Sequence, residues 1–556
     1  MINKEADVLI VGGGAAGLAA ACRAYEEGAR RVAIVEGAKE LGGILLQCVH
    51  TGFGLEYFNE NLTGPEYMQK FIDKIANYDM ETLTQAMAVG IETKSLFDHF
   101  VDIISSENGF MKIYAKTVIL TTGCRERGRD ELNIPGDRPA GVMTAGTAQR
   151  YMDIHGYLPG KEVVVVGSGD IGLIMARRFS QEGAHVKGVY EILSYTCGLR
   201  RNQAQCLLDF DIPLYLGSTV VQIKGRKRIE SVVVAKVNEN LVPIIGTEEE
   251  VKCDLLVLAT GLVPDLRFPR ILPEGLGFEI DLGTGGPVVN EFLETSVPNI
   301  FAAGNFLTVN DIVDDVTSQG EIAALSAVRA LKGAVSKEIQ WKRVVLGNGI
   351  RSVVPQKFSG IMDTKFYIRV KEPAENAYIE VPEIGVRSFN RVLRPPEMVK
   401  LKFRKDLLKR DNLTFQVKAT GSVAKKSKIV KGCEGMATKS IICIVCPIGC
   451  QTTVIMDGDQ VKEIQGALCG RGLEFIRQEA TCPVRILFTV VPIEGASAIG
   501  VLPIRSDKPV PKQLLERSLK ELSKVNVKAP IKAGDIIVKD LLGQGFNMIA
   551  SRTVNN

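Results

Sequence analysis

The chain lacks several features that would assign it to particular classes of protein. Its 68 basic and 64 acidic side chains nearly balance, so a net charge of +4 gives no reason to expect a nucleic-acid ligand. It has no run of eighteen uninterrupted apolar residues, and therefore no transmembrane helix is expected. The first predicted strand begins almost at the N-terminus and leaves no room for a signal peptide. We therefore expect a cytoplasmic protein.

Length and cysteine content bound the architecture. A chain of 556 residues exceeds what a single hydrophobic core supports, so three or four domains are expected. The twelve cysteines, several of them grouped near the C-terminus, occur in a chain without a secretion signal. This usage favours reduced thiols or metal ligands over disulfide bonds.

A glycine-rich turn near the N-terminus carries the first functional signal. Val8 to Val11 predict a buried parallel strand, and an alanine-rich helix follows the turn. Gly12, Gly14 and Gly17 satisfy G-x-G-x-x-G, in which the glycines allow a tight turn, close approach of a pyrophosphate and close helix–strand packing. The next apolar strand ends at Glu36, where a carboxylate can meet a ribose hydroxyl. The stretch predicts a dinucleotide site.

The same pattern returns further along the chain. A shift of 155 residues superimposes these glycines and the carboxylate, without a gap, on Gly167, Gly169, Gly172 and Glu191. Two such folds indicate two dinucleotides and electron transfer between them. Glu191 should bind both ribose hydroxyls of NAD and repel the 2′-phosphate of NADP, although Arg200 and Arg201 lie close enough downstream to keep NADP open.

Together these motifs resemble the two-dinucleotide FAD/NAD(P) flavoproteins that include the disulfide reductases. The resemblance implies that the flavin continues along the loop after Glu36, and that two apolar strands with polar turns bring the chain back past the cofactors. It also implies a third flavin motif, in which an amide replaces the usual acidic residue, and a helix after Thr317–Gly320 that points its N-terminus at the flavin. The residues concerned are Gly42 and Gly43 in the loop, Thr122, Gly123 and Gly261 in the turns, and Gly304 and Asn305 in the third motif.

The loop after Glu36 departs from the disulfide reductases at their redox-active cysteines. In those enzymes two cysteines spaced C-x4-C follow the glycine pair, whereas here Leu45 takes the first place and Cys48 stands alone. Cys48 is a candidate thiol nucleophile or a packed loop cysteine. His50, one of only four histidines, is a candidate catalytic residue beside the flavin or a hydrogen-bonding residue of the loop.

A group of cysteines near the C-terminus is the third signal. Cys443, Cys446, Cys450 and Cys469 have the spacing C-x2-C-x3-C-x18-C. Three thiolates in one loop and a remote fourth suit a [4Fe–4S] cluster, four thiolates also suit zinc, and a site without metal is the third alternative. The spacing and the following Cys-Gly-Arg-Gly resemble the [4Fe–4S] module of molybdopterin oxidoreductases, which implies the cluster alone because no molybdopterin-binding chain follows. Cys433 and Cys482 are spare thiols that could replace a ligand.

These signals predict an α/β protein with two Rossmann-like domains, one inserted in the other. We expect an FAD-binding domain from residues 1–150 and 281–335, and an NAD(P)-binding domain from residues 151–280. A small β-rich domain with its linker, at 421–431, should span 336–430, and a cysteine-rich α+β iron–sulfur module should span 431–556.

Nearly the whole chain resembles FAD/NAD-dependent oxidoreductases that accompany anaerobic glycerol-3-phosphate dehydrogenases, fused to a small cysteine-rich protein. The resemblance implies an FAD-dependent NAD(P)H oxidoreductase. Electrons would pass from NADH through FAD and a [4Fe–4S] cluster to a partner dehydrogenase or another acceptor protein, with a link to glycerol-3-phosphate oxidation. Two alternatives are a self-contained NADH oxidase or small-molecule reductase with a structural metal, and a non-catalytic assembly subunit. Oligomeric forms stay open.

Overall fold

The computed structural model describes residues 2–270, 277–333, 339–388, 392–419, 437–446 and 448–555. They divide into two compact units, each assembled from separate chain segments. The first unit comprises the described residues within Met1–Leu46, Gly52–Arg125 and Leu262–Ala424, and the second those within Gln47–Thr51, Glu126–Gly261 and Lys425–Asn556. The α-helices are Ala15–Glu26, Gly64–Ile75, Arg129–Leu132, Ala145–Asp153, Asp170–Gln181, Arg200–Asn202, Arg267–Arg270, Val313–Leu331, Gly470–Thr481 and Leu515–Leu522.

The first unit contains a seven-stranded sheet. In spatial order its strands are Glu81–Leu83, Val32–Val35, Ile2–Val11, Gly109–Leu120, Asp98–Ser105 and Ala86–Ser95, and Ile300–Ala302 pairs with Gly109–Leu120. The three strands that surround the first glycine-rich turn run parallel. Their continuous apolar runs are buried, as expected for strands covered on both faces. The helices Ala15–Glu26 and Val313–Leu331 pack so closely that a side chain at Gly320 would overlap the Ala16 carbonyl oxygen.

A β-rich region completes the first unit. Its sheets contain Lys357–Phe358, Lys342–Leu346, Asn412–Ala419, Ala377–Val381 and Val386–Arg387; Ile350–Val354, Thr364–Val370 and Val399–Phe403; and Ala374–Glu375 with Val392–Leu393. The aromatic rings of Phe358, Phe366, Phe403 and Phe415 form its core. Lys365 and Lys400 pair with Asp315. These two lysines therefore neutralise a buried carboxylate within the unit.

The second unit repeats the parallel design. Its first sheet has the order Val142–Thr144, Leu255–Leu258, Glu162–Val166, His185–Glu191 and Leu214–Leu216. An antiparallel sheet follows, made of Ser218–Lys224, Ser231–Lys236 and Glu249–Lys252. The helix Asp170–Gln181 packs its apolar residues into the core of the parallel sheet. This arrangement confirms the predicted class with two Rossmann-like domains.

The C-terminal residues also belong to the second unit. Ala437–Ile442, Gln451–Asp457 and Gln460–Gln465 form an antiparallel sheet, Val484–Arg485 pairs with Val510–Pro511, and the last sheet has the order Val527–Lys528, Phe488–Glu494, Val501–Ser506, Met548–Ala550 and Ile536–Val538. The Gly500 amide donates to the Ile154 carbonyl at 2.8 Å, and Thr489 Oγ1 donates to Glu182 at 3.2 Å.

The remaining strands are Thr51–Phe53, Leu62–Thr63, Cys124–Glu126 and Leu262–Pro264. In the described part of the chain, no helix is long and apolar enough to cross a membrane.

The crossings between the two nucleotide folds differ from those predicted. The sequence placed them at 150/151 and 280/281, whereas the units divide at 125/126 and 261/262. The cause is that Val142–Thr144 pairs with Leu255–Leu258, and the helix Ala145–Asp153 contributes to the same core. The β-rich region joins the first unit, and the C-terminal region joins the second. The linker predicted at 421–431 lies outside the described residues.

Candidate functional site

The three glycines of the first turn have three different environments. Gly12 has φ +111°, and a Cβ there would lie 2.5 Å from the Thr121 carbonyl oxygen. A Cβ at Gly17 would overlap the Gly12 carbonyl oxygen, so this glycine lets the helix reach the strand. A Cβ at Gly14 would meet nothing within 4 Å. The turn therefore leaves open space at the glycine assigned to the pyrophosphate, beside the free N–H groups of the helix start.

Glu36 is held against the same turn. Its carboxylate accepts hydrogen bonds from the Gly13 amide at 2.7 Å and from the Ala38 amide at 2.8 Å. The Gly42 amide donates to the Gly13 carbonyl at 2.8 Å, and Gly43 has φ +59° with its Cβ direction 3.0 Å from the Gly14 Cα. The structure thus brings the predicted glycine pair onto the glycine-rich turn.

The strand that ends at Leu120 closes this site. Thr121 Oγ1 donates to the turn, where the Gly12 carbonyl accepts at 2.9 Å. Among the described residues, the buried Thr122 Oγ1 has no hydrogen-bond partner. Since a buried hydroxyl normally has one, this orphan and the open space at Gly14 fit a polar ligand such as FAD. Gly123 follows with φ +78°.

The third flavin motif lies against the first helix. Gly304 has φ +67°, and a Cβ there would lie 2.9 Å from the Ala16 Cβ. Its amide donates to Gln319 Oε1 at 3.0 Å. The Asn305 carboxamide oxygen accepts from the Asn310 amide at 3.0 Å, and its nitrogen lies 3.5 Å from Cys124 Sγ. Asn305 is thus anchored within its own unit.

The helix after this motif begins earlier than the sequence analysis placed it. It spans Val313–Leu331, so Thr317–Gly320 lie inside it and the predicted start was wrong. Asp314 and Asp315 occupy its first turn, where carboxylates stabilise the positive end of the helix dipole. The Asp314 carboxylate accepts from the Glu56 amide at 3.0 Å, and burial raises its pKa.

The second turn reproduces these environments. Gly167 has φ +96°, and a Cβ at Gly172 would overlap the Gly167 carbonyl oxygen. At Gly169 a Cβ would have one neighbour within 4 Å, the Ala259 carbonyl oxygen at 3.9 Å. Thr260 Oγ1 is buried and, among the described residues, lacks a hydrogen-bond partner, like Thr122 Oγ1 in the first site. Gly261 follows with φ +101°. This site fits a second dinucleotide by the same criteria.

Thr260 is a residue that the sequence analysis missed as a site candidate. Its signal was present, because the two strand ends Thr122-Gly123 and Thr260-Gly261 match. Ser168 was missed in the same way, although it stands in the second turn where the first has Gly13.

Glu191 is buried at the end of its strand. Its carboxylate accepts from the Ser168 amide at 2.8 Å, from Ser168 Oγ at 2.7 Å and from the Leu193 amide at 3.0 Å. Arg200 and Arg201 lie beside Gly449 in the cysteine loop, whose Cβ direction is 2.7 Å from the Arg200 Cβ. The two arginines that left NADP as an alternative cofactor in the sequence analysis therefore contact the C-terminal region.

Cys48 and His50 belong to the second unit. Cys48 is buried and His50 is half-buried, and burial raises the pKa of the Cys48 thiol to about 12, with Gln149 Nε2 at 4.0 Å from the sulfur. Burial and the nearby Arg177 and Arg201 lower the pKa of His50 to about 3, while its Nδ1 lies 3.0 Å from the Thr51 carbonyl oxygen. At neutral pH these are a protonated thiol and a neutral imidazole, which favours their packing roles over the candidate catalytic ones.

The four cysteines of the C-terminal module come from three places in its fold. Cys443 follows the strand Ala437–Ile442, and its amide donates to the Cys450 carbonyl at 2.9 Å. Cys469 caps the helix Gly470–Thr481, with its sulfur accepting from the Gly472 amide at 3.4 Å. A Cβ at Gly472 would lie 3.5 Å from Cys469 Sγ and 3.6 Å from Cys443 Sγ, so both sulfurs face one point.

The charges of these thiols act on one another. Burial, followed by the neighbouring Cys446, Cys450 and Cys469, raises the pKa of Cys443. Among the residues that the structure describes, no three His, Cys, Asp or Glu side chains are arranged as a metal site. The thiols therefore converge without reaching metal-binding geometry.

The two spare cysteines have different outcomes. Cys469 and Cys482 flank the twelve-residue helix Gly470–Thr481 as its N-cap and C-cap, and a rise of about 1.5 Å per residue places the two about 20 Å apart. Cys482 cannot replace a ligand of the same site, so that part of the prediction was wrong. Cys433 lies outside the described residues.

Two family models match the chain. The model described as pyridine nucleotide-disulphide oxidoreductase matches residues 6–320, and DUF1667, described as a protein of unknown function, matches residues 470–552. The second match begins directly after Cys469 and covers the helix Gly470–Thr481 and the last sheet.

Curated relatives match the nucleotide folds. The hydrogen cyanide synthase subunit HcnB of Pseudomonas protegens is 26% identical, over 60% of this chain and 72% of that protein. The NAD(P)H coenzyme A polysulfide/persulfide reductase of Pyrococcus horikoshii is 24% identical, over 56% and 65%, and the NADH dehydrogenase of Bacillus subtilis is 27% identical, over 59% and 58%. Among solved structures, the thioredoxin reductase of T. acidophilum is 26% identical with a TM-score of 0.48, covering 59% of this chain and 99% of that one. The matched part thus reaches between 58% and 72% of the curated relatives named here.

Proposed function

Because the chain belongs to the pyridine nucleotide-disulphide oxidoreductase family, we propose that it oxidises NADH at an FAD site and delivers the electrons to an acceptor protein through its C-terminal cysteines. The observation that carries the proposal is the pair of matching nucleotide turns, each with one open glycine and one orphaned threonine hydroxyl. The chain is an FAD-dependent NAD(P)H oxidoreductase; the cysteine site and the acceptor are the proposed parts.

The first unit would hold FAD with residues described above. The helix start after Gly14 faces the pyrophosphate, Glu36 accepts from the ribose, and Asn305 offers its carboxamide to the ribityl chain. FAD, when bound, supplies hydride acceptance as an electron pair and release as single electrons. Asp314 and Asp315 occupy the first turn of the following helix, and Lys365 and Lys400 neutralise Asp315.

The second unit would hold NADH through Gly169 and Glu191. The buried carboxylate opposes a 2′-phosphate, since two negative groups would meet in a site of low solvent access. Arg200 and Arg201 lie against Gly449, which supports a role in holding the cysteine loop rather than in binding a phosphate. This arrangement favours NADH over NADPH.

The cysteine module would carry a [4Fe–4S] cluster, which supplies one-electron transfer when bound. Its support is the convergence of Cys443 and Cys469 on Gly472, and the N-terminus of the helix Gly470–Thr481, whose dipole stabilises thiolates. The sulfurs must draw together on binding, as expected where metal binding and folding are coupled. Zinc on the same thiols is the competing outcome.

An acceptor protein suits the surroundings of this module. Cys469 is exposed, and so are the large apolar side chains of Ile448, Leu468 and Leu473 beside the cysteines. No charged residue occurs from Ser440 to Met456. An exposed apolar rim around a redox group fits a protein docked over it better than a site closed to partners. The link to glycerol-3-phosphate oxidation stays a prediction, because none of the relatives named above is a dehydrogenase of that substrate.

The test is anaerobic purification of the full chain followed by reduction with NADH. We expect about four irons per chain and a low-temperature electron paramagnetic resonance signal of a reduced cluster. Cys446→Ser should abolish the signal while NADH-to-dye turnover continues. Cys482→Ser is the matched control, because that exposed thiol lies at the far end of the helix and should leave iron and signal unchanged.

Two results would contradict the proposal. One zinc and no iron per chain would make the cysteines a structural site. An iron signal that NADH does not reduce, in protein that keeps its FAD, would separate the cluster from the flavin reaction.

A further inference from the structure

The two nucleotide folds hold their carboxylates with the same pair of backbone bonds. In the first, the Gly13 amide donates to Glu36 Oε2 at 2.7 Å and the Ala38 amide donates to Oε1 at 2.8 Å. In the second, the residues 155 positions later do the same for Glu191, as the Ser168 amide donates to Oε2 at 2.8 Å and the Leu193 amide to Oε1 at 3.0 Å. The internal repeat is therefore preserved at the level of single hydrogen bonds.

One side chain breaks the match. Ser168 Oγ donates a further hydrogen bond to Glu191 Oε2 at 2.7 Å, whereas Gly13 has no side chain to do so. The hydroxyl is fully buried and accepts from the Cys197 amide at 2.9 Å, so its own hydrogen is directed to the carboxylate. Ser168 is thus held in place from both sides.

The difference changes how many acceptor positions each carboxylate offers. An ionised carboxylate has about four lone-pair positions. Glu36 uses two of them within the protein, one on each oxygen, and can accept from both hydroxyls of a ribose. Glu191 uses three, which leaves one position, on Oε1.

Cys197 does not alter this count in the second site. Burial and the neighbouring Glu191 raise the pKa of its thiol to about 12, so it stays protonated. A thiol is a weak donor, and a ribose hydroxyl would displace it from the carboxylate.

We propose that Ser168 determines how the second site grips its nucleotide: by occupying an acceptor position of Glu191, its hydroxyl limits the carboxylate to one ribose hydroxyl, whereas Glu36 binds both. The hydroxyl thereby weakens nucleotide binding at the second site relative to the first by about tenfold, the effect of one hydrogen bond to a charged group. The inference rests on the proposed binding of NAD(H) in the second fold. It gives one contribution, made within a duplicated motif, to weaker binding of an exchanging nucleotide at the second site.

The test is NAD⁺ binding to the FAD-loaded full chain, measured by calorimetry. Ser168→Ala keeps the β-carbon and removes the hydroxyl, and Ser168→Gly copies the residue of the first turn. Both should tighten NAD⁺ binding by about tenfold, the effect of one added hydrogen bond to a charged group. The gain should vanish when Glu191→Ala is combined with Ser168→Ala, because the carboxylate is the proposed route of the effect.

Nucleotide analogues make the test specific to the ribose. In the wild type, removing the 2′- or the 3′-hydroxyl of the adenosine ribose should weaken binding for only one of the two analogues. In Ser168→Ala both removals should weaken it. Thermal unfolding of each variant checks that the loss of the Cys197 amide partner has not disturbed the fold; Ser168→Gly leaves room for a water to replace it.

The possible failures are distinguishable. Unchanged or weaker NAD⁺ binding in both folded Ser168 variants would overturn the role of the hydroxyl. Absence of NAD⁺ and ADP-ribose binding in the wild type would instead contradict the assignment of the second fold, and with it the proposed function.

Discussion

Replacing Gly14 with alanine should remove the flavin while leaving the fold intact. Gly14 has φ −83° and ψ −167°, which alanine adopts without strain, and its added Cβ would meet no protein atom within 4 Å. The cost to the fold is about 1 kcal/mol, because alanine is a poorer helix N-cap than glycine. The methyl group would occupy the space assigned to the pyrophosphate.

The expected loss of affinity follows from the contacts that this methyl group would block. Displacing the pyrophosphate from the helix start forfeits about two hydrogen bonds to a charged group, at roughly 1.5 kcal/mol each. A total of about 3 kcal/mol weakens FAD binding by about two orders of magnitude. Titration of the apoprotein with FAD, followed by flavin fluorescence, measures this directly.

Gly17→Ala is the matched comparison within the same turn. Its Cβ would overlap the Gly12 carbonyl oxygen and lie 2.9 Å from Thr121 Oγ1, so the helix must move away from the strand. Such overpacking costs about 1–3 kcal/mol, and a lower melting temperature should accompany any loss of flavin. Wild-type FAD affinity in Gly14→Ala would refute the assignment of the open glycine to the pyrophosphate.

Three further predictions concern single side chains. Glu191→Ala should narrow the preference for NADH over NADPH, mainly by weakening NADH, and steady-state kcat/KM for both nucleotides measures this; a higher wild-type kcat/KM for NADPH would contradict it. Cys48→Ser should keep NADH-to-dye turnover within about tenfold of wild type, and a loss of more than about a hundredfold, roughly 2.7 kcal/mol, in FAD-loaded protein would show that the thiol reacts. The pKa of His50 is about 3 in the folded protein, below its ordinary value of 6.5, so the unfolded chain binds the proton first. The free energy of unfolding should therefore fall as the pH drops from about 6.5 towards 3. Urea unfolding at several pH values measures this, and the free energy of unfolding should depend less on pH in His50→Gln. An unchanged pH dependence would show that other groups are responsible for it.

The nucleotide turns could be predicted from sequence because their causes are local. A strand, three glycines and a carboxylate lie within about thirty residues. Gly12 is constrained by Thr121, and Gly17 by the Gly12 carbonyl of the same turn. The same pattern recurs 155 residues later and predicts the same turn geometry a second time. Even so, the extra hydrogen bond of Ser168 was missed, because the glycine pattern alone does not register which side chain fills a variable position.

The features that sequence patterns could not supply depend on distant contacts. The sequence left Cys48 as either a thiol nucleophile or a packed loop cysteine, and its burial beside Gln149 of the same unit depends on a residue 101 positions away. The helix begins at Val313, and in its first turn Asp314 accepts a hydrogen bond from the amide of Glu56, a residue far away in the sequence. The helix between Cys469 and Cys482 was likewise needed to show that the latter is too far away to act as a ligand.

The discontinuous course of the second unit has a consequence for its biosynthesis. Five residues of this unit, Gln47–Thr51, are translated within the first unit's sequence, and its last sheet is translated after both nucleotide folds. Ile154 and Glu182 are translated long before Gly500 and Thr489, the residues that donate hydrogen bonds to them. The second unit therefore cannot form all of its contacts on the ribosome before these C-terminal residues emerge. A product that ends before Thr489 would therefore lack these hydrogen bonds of the second unit.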